Sequence, residues 1–277
     1  MSPVLARRFA VRSVTILVLL LVATVFIIPL FYMVLGSFKN PLEASAFNMA
    51  LPKQWHAANY SAVIREGSLG RAFINSCLIT ALSCGLTVFL CSIASFILAR
   101  KGSRSAELLY YFFFLGSLAP MQVIPTIQIL KVVNLYGTYA SAILVYAALN
   151  LSFGCFLYTG YIKGVPRALD EAAMIEGASL FRIFFRILFP LLTPVNVTVS
   201  ILIFLSTWND INIPIYFLPT PAKWTMPLSV YGFFGRYSSD WNLVFADLTL
   251  TAIPVVVLYL AAQKYFVSGL TSGAVKQ

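Results

Sequence analysis

Three of the nine acidic residues in this chain, Asp170, Glu171 and Glu176, fall within one short stretch, VPRALDEAAMIEGASLFRIFFRILFPLLTP, from Val165 to Pro194. Carboxylates held together on a helix can accept charge-assisted hydrogen bonds from a basic partner. The local sequence supplies the helix. Pro166 suits a first helical turn, where a missing N–H costs nothing, and the run Arg167 to Glu176 is rich in Ala, Leu, Glu and Met and lacks Gly. Gly177 can take the left-handed conformation that ends a helix, and Ser179 can cap the next one. The expectation is a helix–turn–helix with a polar face, presented to another molecule.

Other residues with chemical potential are sparse. Cys77, Cys84 and Cys91 are spaced seven apart and Cys155 stands alone. A thiolate metal site is disfavoured, because Cys77 and Cys91 lie roughly 21 Å apart along a helix. With Ser76, Ala81 and Ser83 nearby, these residues read as small side chains that let helices approach closely. His56 is the single histidine, which excludes multi-histidine metal sites and weakens any Ser-His-Asp scheme. No Gly-x-x-x-x-Gly-Lys-Ser/Thr phosphate loop occurs, so the chain is not expected to hydrolyse ATP itself. Nor does the sequence show a cluster of ionisable residues deep within its apolar segments, as ion-coupled carriers usually do.

The elements that position the acidic stretch are apolar. Of 277 residues, 60% are hydrophobic and 10% charged, with a mean hydropathy of +0.88, and charge-free runs recur that are long enough to cross about 30 Å of hydrocarbon as helices. The expected class is an all-α integral membrane protein with six transmembrane helices, at about 14–35 (with Pro29 inside), 71–98, 108–130 (interrupted by Pro120 and Pro125), 139–162, 191–208 and 243–262. A connecting segment at 163–190 and a polar tail at 263–277 complete a single domain. A β-barrel is excluded, since the runs lack the alternation of a barrel wall. An N-terminal secretory signal is excluded too, because the apolar run from Ser13 to Phe38 is too long.

The net charge of +10 does not indicate nucleic-acid binding, because no basic run is interleaved with aromatics. It follows position instead. With the N-terminus inside, twelve of the nineteen Lys and Arg residues fall on the cytoplasmic side, which places both termini and the acidic stretch in the cytoplasm.

The frame Glu171-Ala172-Ala173-x3-Gly177-x9-Ile187-x-Phe189-Pro190 resembles the "EAA" motif of ABC-importer permeases, Glu-Ala-Ala-x3-Gly-x9-Ile-x-Leu-Pro. Phe189 replaces the usual Leu, and Glu176 stands where sugar permeases more often carry Asp. Further likeness to the carbohydrate (maltose-permease) subfamily runs through Pro29 to Ser37-Phe38-Lys39, Leu51-Pro52, Asn59-Tyr60, Asn75-Ser76 and Trp208-Asn209-Asp210. It ends in Gly269-Leu270-x2-Gly273-Ala274-Val275-Lys276.

The resemblance implies the type I ABC importer fold and a permease subunit, not an enzyme, of a binding-protein-dependent carbohydrate importer in the bacterial inner membrane. It implies as partners a homologous permease, two cytoplasmic ATPase subunits that bind ATP and Mg, and an extracytoplasmic binding protein. The segment holding Glu171, Ala172, Ala173, Glu176, Gly177 and Pro190 would be the coupling helix that docks on an ATPase. Ser268, Gly269, Gly273 and Lys276 would contact the ATPase dimer, against the alternative of an unstructured polar tail. Trp208, Asn209 and Asp210 either line the substrate path or form a membrane-interface Trp with capping polar neighbours. The competing functions are a permease for a non-sugar solute and a stand-alone six-helix carrier or channel; the competing role for the coupling segment is a helix lying on the membrane surface.

Overall fold

The computed structural model describes the backbone of residues 3–233 and 240–274, and the side chains of 12–233 and 240–263. Among the described residues no strand occurs. In chain order the helices are α1 (Pro3–Ser37), α2 (Pro41–Ser45), α3 (Ala58–Glu66), α4 (Leu69–Arg100), α5 (Arg104–Gly116), α6 (Val123–Val132), α7 (Tyr139–Lys163), α8 (Ala168–Ile175), α9 (Leu180–Ile183), α10 (Phe189–Leu191), α11 (Thr193–Trp208), α12 (Asn212–Phe217), α13 (Met226–Ser229) and α14 (Trp241–Ala274). A π-helical turn, Phe184–Leu188, joins α9 to α10.

Four helical segments are long and apolar enough to cross a membrane: Arg12–Ser37, Leu69–Arg100, Tyr139–Lys163 and Trp241–Gln263. A fifth is a broken pair, Leu180–Leu191 and Thr193–Trp208, bent by 73°. Proline chemistry accounts for the bend. Pro194 lacks the N–H that would bond the carbonyl of Pro190, and that carbonyl instead accepts from Thr193 Oγ1 at 2.6 Å.

The expected third span, 108–130, is not one helix. It divides into α5 and α6, of 13 and 10 residues. Pro120 cannot donate back to Gly116, and it disfavours helical geometry at Ala119. Pro125, by contrast, is tolerated in the first turn of α6. Pro29 and Pro254, unlike Pro120, lie inside continuous helices, as membrane-spanning helices tolerate. The last helix runs through Ala274, so the backbone of the polar tail is helical through residue 274.

The chain forms two compact units. The first comprises residues 1–69 and 229–253. Its interior holds a network of hydrogen-bonded polar groups among apolar side chains. Asn59 Nδ2 donates to the carbonyls of Ser37 and Lys39 at 2.8 and 2.9 Å, and its Oδ1 accepts from Asn242 Nδ2 at 3.0 Å. Ser37 Oγ and Tyr60 Oη share a bond of 2.6 Å, while Lys39 Nζ donates to the carbonyl of Asn48 at 2.6 Å. Gly36 lies against the ring of Phe245, where a Cβ would collide with it.

The second unit comprises 70–228 and 254–277. One core joins Cys91, Cys155, Tyr158, Ile162, Phe184, Leu188, Leu192, Val195 and Val199 from α4, α7, the π-turn and α11. A second gathers Ile79, Leu130, Ala142, Val145, Tyr146, Ile213, Phe217 and Leu218. The cysteines are free. A Cβ on Gly154 would strike Cys91 Sγ, so α4 and α7 meet there through two small residues, as the small-residue reading expects.

Candidate functional site

The acidic stretch folds as the local rules require, with one displacement. The first short helix is α8, and Pro166 precedes its N-cap, Arg167, instead of occupying the first turn. Gly177 follows at φ +80°, the left-handed turn that L side chains rarely adopt. Ser179 then caps α9, its side chain accepting from the backbone N–H of Arg182 at 3.4 Å.

Helical periodicity sorts the acids. Asp170 and Ala173, three apart, turn inward and keep 6% exposure each. Glu171, Ala172 and Glu176 are exposed. The three acids therefore do not share one outward polar face, as the sequence alone suggested. The Asp170 carboxylate forms an ion pair with Arg100 at 2.5 Å (Nε–Oδ2). What shares the outward face with Glu171 and Glu176 is apolar: Met174 is 51% exposed, Ile175 88%, Leu180 61% and Phe181 73%. Fully burying one such side chain is worth about 1.5–3 kcal/mol, so this face gains by being covered. Sequence reading missed it, because Met, Ile, Leu and Phe are unremarkable in an apolar chain. The signal was their spacing on either side of Gly177. Pro190, the last position of the frame, is exposed at the start of α10.

At the other end of α11, Trp208 retains 2% exposure and stacks on Phe204 at 5.3 Å with 14° between the rings. The Asp210 carboxylate is fully engaged. It accepts from Tyr146 Oη at 2.9 Å, from the backbone N–H of Asn212 and Ile213 at 3.2 and 2.9 Å, and from Asn212 Nδ2 at 3.1 Å. It thus caps α12 and ties it to α7. Asn209 is the exposed member of the three, its Nδ2 donating to the carbonyl of Leu205 at 2.8 Å.

Asn75 and Ser76, whose sequence signals were family likeness and, for Ser76, small size, hold the start of α4. Asn75 Nδ2 donates to the carbonyls of Ala222 and Trp224 at 3.0 and 2.9 Å, Asn75 Oδ1 accepts from Tyr139 Oη at 2.8 Å, and Ser76 Oγ accepts from Met226 N–H at 2.9 Å.

A buried carboxylate within the last span escaped the sequence reading. Asp247 has no exposed surface. It accepts from Ser229 Oγ at 3.0 Å and from Thr251 Oγ1 at 3.1 Å. Of the tail residues, Ser268, Gly269 and Gly273 lie in α14 beyond the described side chains, and Lys276 lies outside the described residues. No group of three or more His, Cys, Asp or Glu that could hold a metal ion occurs among the described residues.

Comparison with known proteins agrees with this architecture. Residues 91–272 match the family described as the binding-protein-dependent transport system inner membrane component. A probable starch degradation products transport system permease of Thermoanaerobacterium thermosulfurigenes is 34% identical over 93% of this chain and 94% of its own length. A melibiose/raffinose/stachyose import permease of Bacillus subtilis is 34% identical over 98% and 99%. The fold is also similar to that of a chain in a bacterial ABC transporter involved in the import of alginate, with a TM-score of 0.78 at 21% identity, covering 94% of this chain and 97% of that one.

Proposed function

Because this chain belongs to the binding-protein-dependent transport system inner membrane components, a family of multi-pass permeases and not enzymes, we propose that it forms half of the passage for a sugar or oligosaccharide in an ABC importer. The substrates named for its relatives, starch degradation products and melibiose, raffinose and stachyose, support the carbohydrate class. The other half is a homologous permease. Two cytoplasmic ATPase subunits bind ATP and Mg and supply the energy, and an extracytoplasmic binding protein delivers the solute. Both termini and α8–α9 face the cytoplasm, in keeping with the Lys and Arg bias.

The observation that carries this reading is the outward face of α8–α9. Ile175, Phe181, Leu180 and Met174 offer apolar side chains for a groove in the ATPase, and Glu171 and Glu176 offer acceptors for basic residues at its rim. A helix lying on the membrane surface would also bury such residues; retention of the ATPase by the purified permease distinguishes the two. Closure of the ATPase pair moves this segment, and the π-helical turn that follows α9, packed in one core with α4, α7 and α11, carries the motion into the spans. Asn209, exposed at the end of α11, is the proposed substrate-path contact, with Trp208 and Asp210 supporting it from behind.

Reconstitution tests the proposal. The permease pair with its ATPases and binding protein takes up radiolabelled oligosaccharide into proteoliposomes only when ATP is supplied on the ATPase side. Uptake by this chain alone would overturn it.

A further inference from the structure

Arg100 ends α4, and its side chain is 14% exposed. Beyond its ion pair with Asp170, its Nη1 donates to the carbonyls of Val165 and Ile162 at 3.1 and 3.4 Å. Those carbonyls lie at and just past the end of α7, where a helix leaves acceptors unfilled and favours a cation. Asp170 lies in the first turn of α8, where a helix favours an anion. Each charge therefore satisfies a helix end as well as its partner. The return contact comes from Arg167, the N-cap of α8, whose Nη2 donates to the carbonyl of Ala99 in the last turn of α4 at 3.3 Å. Ala173, inward-facing and small, lets α8 lie flat beside this contact.

We infer that Arg100, Asp170 and Arg167 form a clasp that fixes the coupling segment to the ends of α4 and α7, so that Asp170 is a positioning residue for force transmission and not a contact to the ATPase. This rests on the reading of α8–α9 as the ATPase-facing segment. A lever docked at its outer face moves the spans only if its inner face cannot slip. Asp170 and Glu171 are adjacent in sequence yet serve opposite sides of the lever. Glu171 serves docking, and Asp170 serves attachment.

The test uses the complete importer, with both permeases, the ATPases and the binding protein, in proteoliposomes. Three quantities are read: ATPase retained on the purified permease pair, ATP hydrolysed, and solute imported per ATP. Asp170→Asn keeps the ATPase bound at wild-type yield and lowers solute per ATP by about tenfold or more, because it breaks a buried pair from one side. Asp170→Glu restores import per ATP to within about threefold, since the charge returns with one extra methylene. Arg167→Gln, at an exposed position that leaves no buried charge behind, lowers it by about threefold, in keeping with one solvent-exposed hydrogen bond at the weak end of the usual range, and serves as the readout should Asp170→Asn assemble poorly. Wild-type import per ATP in Asp170→Asn, or in Arg167→Gln where the former does not assemble, would overturn the clasp. So would loss of bound ATPase from Asp170→Asn, which would make Asp170 a docking residue. Ile175→Asp separates the two readings: it releases the ATPase if α8–α9 docks there, and unchanged retention would instead defeat the docking reading itself.

Discussion

Gly177 and Gly36 show how differently two glycines can be required. Gly177 sits at φ +80° with open space where a Cβ would be, so its requirement is conformational. Gly177→Val is expected to destabilise the turn by about 1–2 kcal/mol, whereas Gly177→Asn, which tolerates the left-handed region, is nearly neutral. ATPase retention by the two variants, measured by co-purification, checks this. Gly36 is ordinary in backbone geometry, but a Cβ there meets the Phe245 ring. Gly36→Ala is expected to cost about 1–3 kcal/mol through overpacking. Thermal unfolding of the purified permease complex should show a lowered midpoint that Phe245→Leu partly restores. Glu171→Lys acts at the same scale and reverses the charge of an exposed acceptor. It is expected to weaken ATPase binding while leaving membrane insertion intact, which the yield of ATPase on the purified permease reports.

Among the elements, the start of α4 depends on one amide. Asn75 closes three hydrogen bonds, to the carbonyls of Ala222 and Trp224 and from Tyr139 Oη. Asn75→Asp removes the donors and places a charge against two carbonyls. The expected loss is about 1–3 kcal/mol of stability, for buried acceptors left unpaired. ATPase retention is unaffected, because the change is remote in sequence and structure from α8. Proteolysis of the loop around residues 218–228 would reveal the loosening. The same dependence on single side chains appears at the 73° bend between Leu180–Leu191 and Thr193–Trp208. Thr193 fills the carbonyl that Pro194 leaves.

At the scale of the molecule, exposed apolar side chains line the long helices, suited to lipid and partner subunits, and α8–α9 carries an apolar face flanked by Glu171 and Glu176. The segment Arg12–Ser37 is strongly apolar, and every side chain from residue 12 to residue 31 is exposed. A chain of this kind works as part of an assembly. ATP-driven uptake is therefore expected to require the second permease and the ATPases, and Ile175→Asp is expected to abolish uptake by releasing the ATPase while the permease still inserts and pairs. Size-exclusion chromatography of the solubilised complex, with and without the substitution, measures both.

The sequence by itself determined the membrane class, the two short helices around Gly177, the Ser179 cap and the frame from Glu171 to Pro190. Each of these rests on local chemistry or on apolar length, which need no distant contact. Tertiary structure alone decided the direction each side chain takes. Asp170 and Glu171 look equivalent in sequence, and only the position of Arg100, seventy residues earlier, turns one inward. Asp210 looked as free to meet substrate as Asn209 until Tyr146 and the N-terminus of α12 closed around it. Asp247 passed unnoticed among apolar neighbours, because its hydroxyl donor Ser229 comes from eighteen residues away. The interruption of the third span was legible at Pro120 and Pro125, and the structure decided that α5 ends before the first and α6 carries the second in its opening turn. Burial and pairing in a membrane protein are set by which helices meet, and a chain so uniformly apolar leaves that choice to the fold.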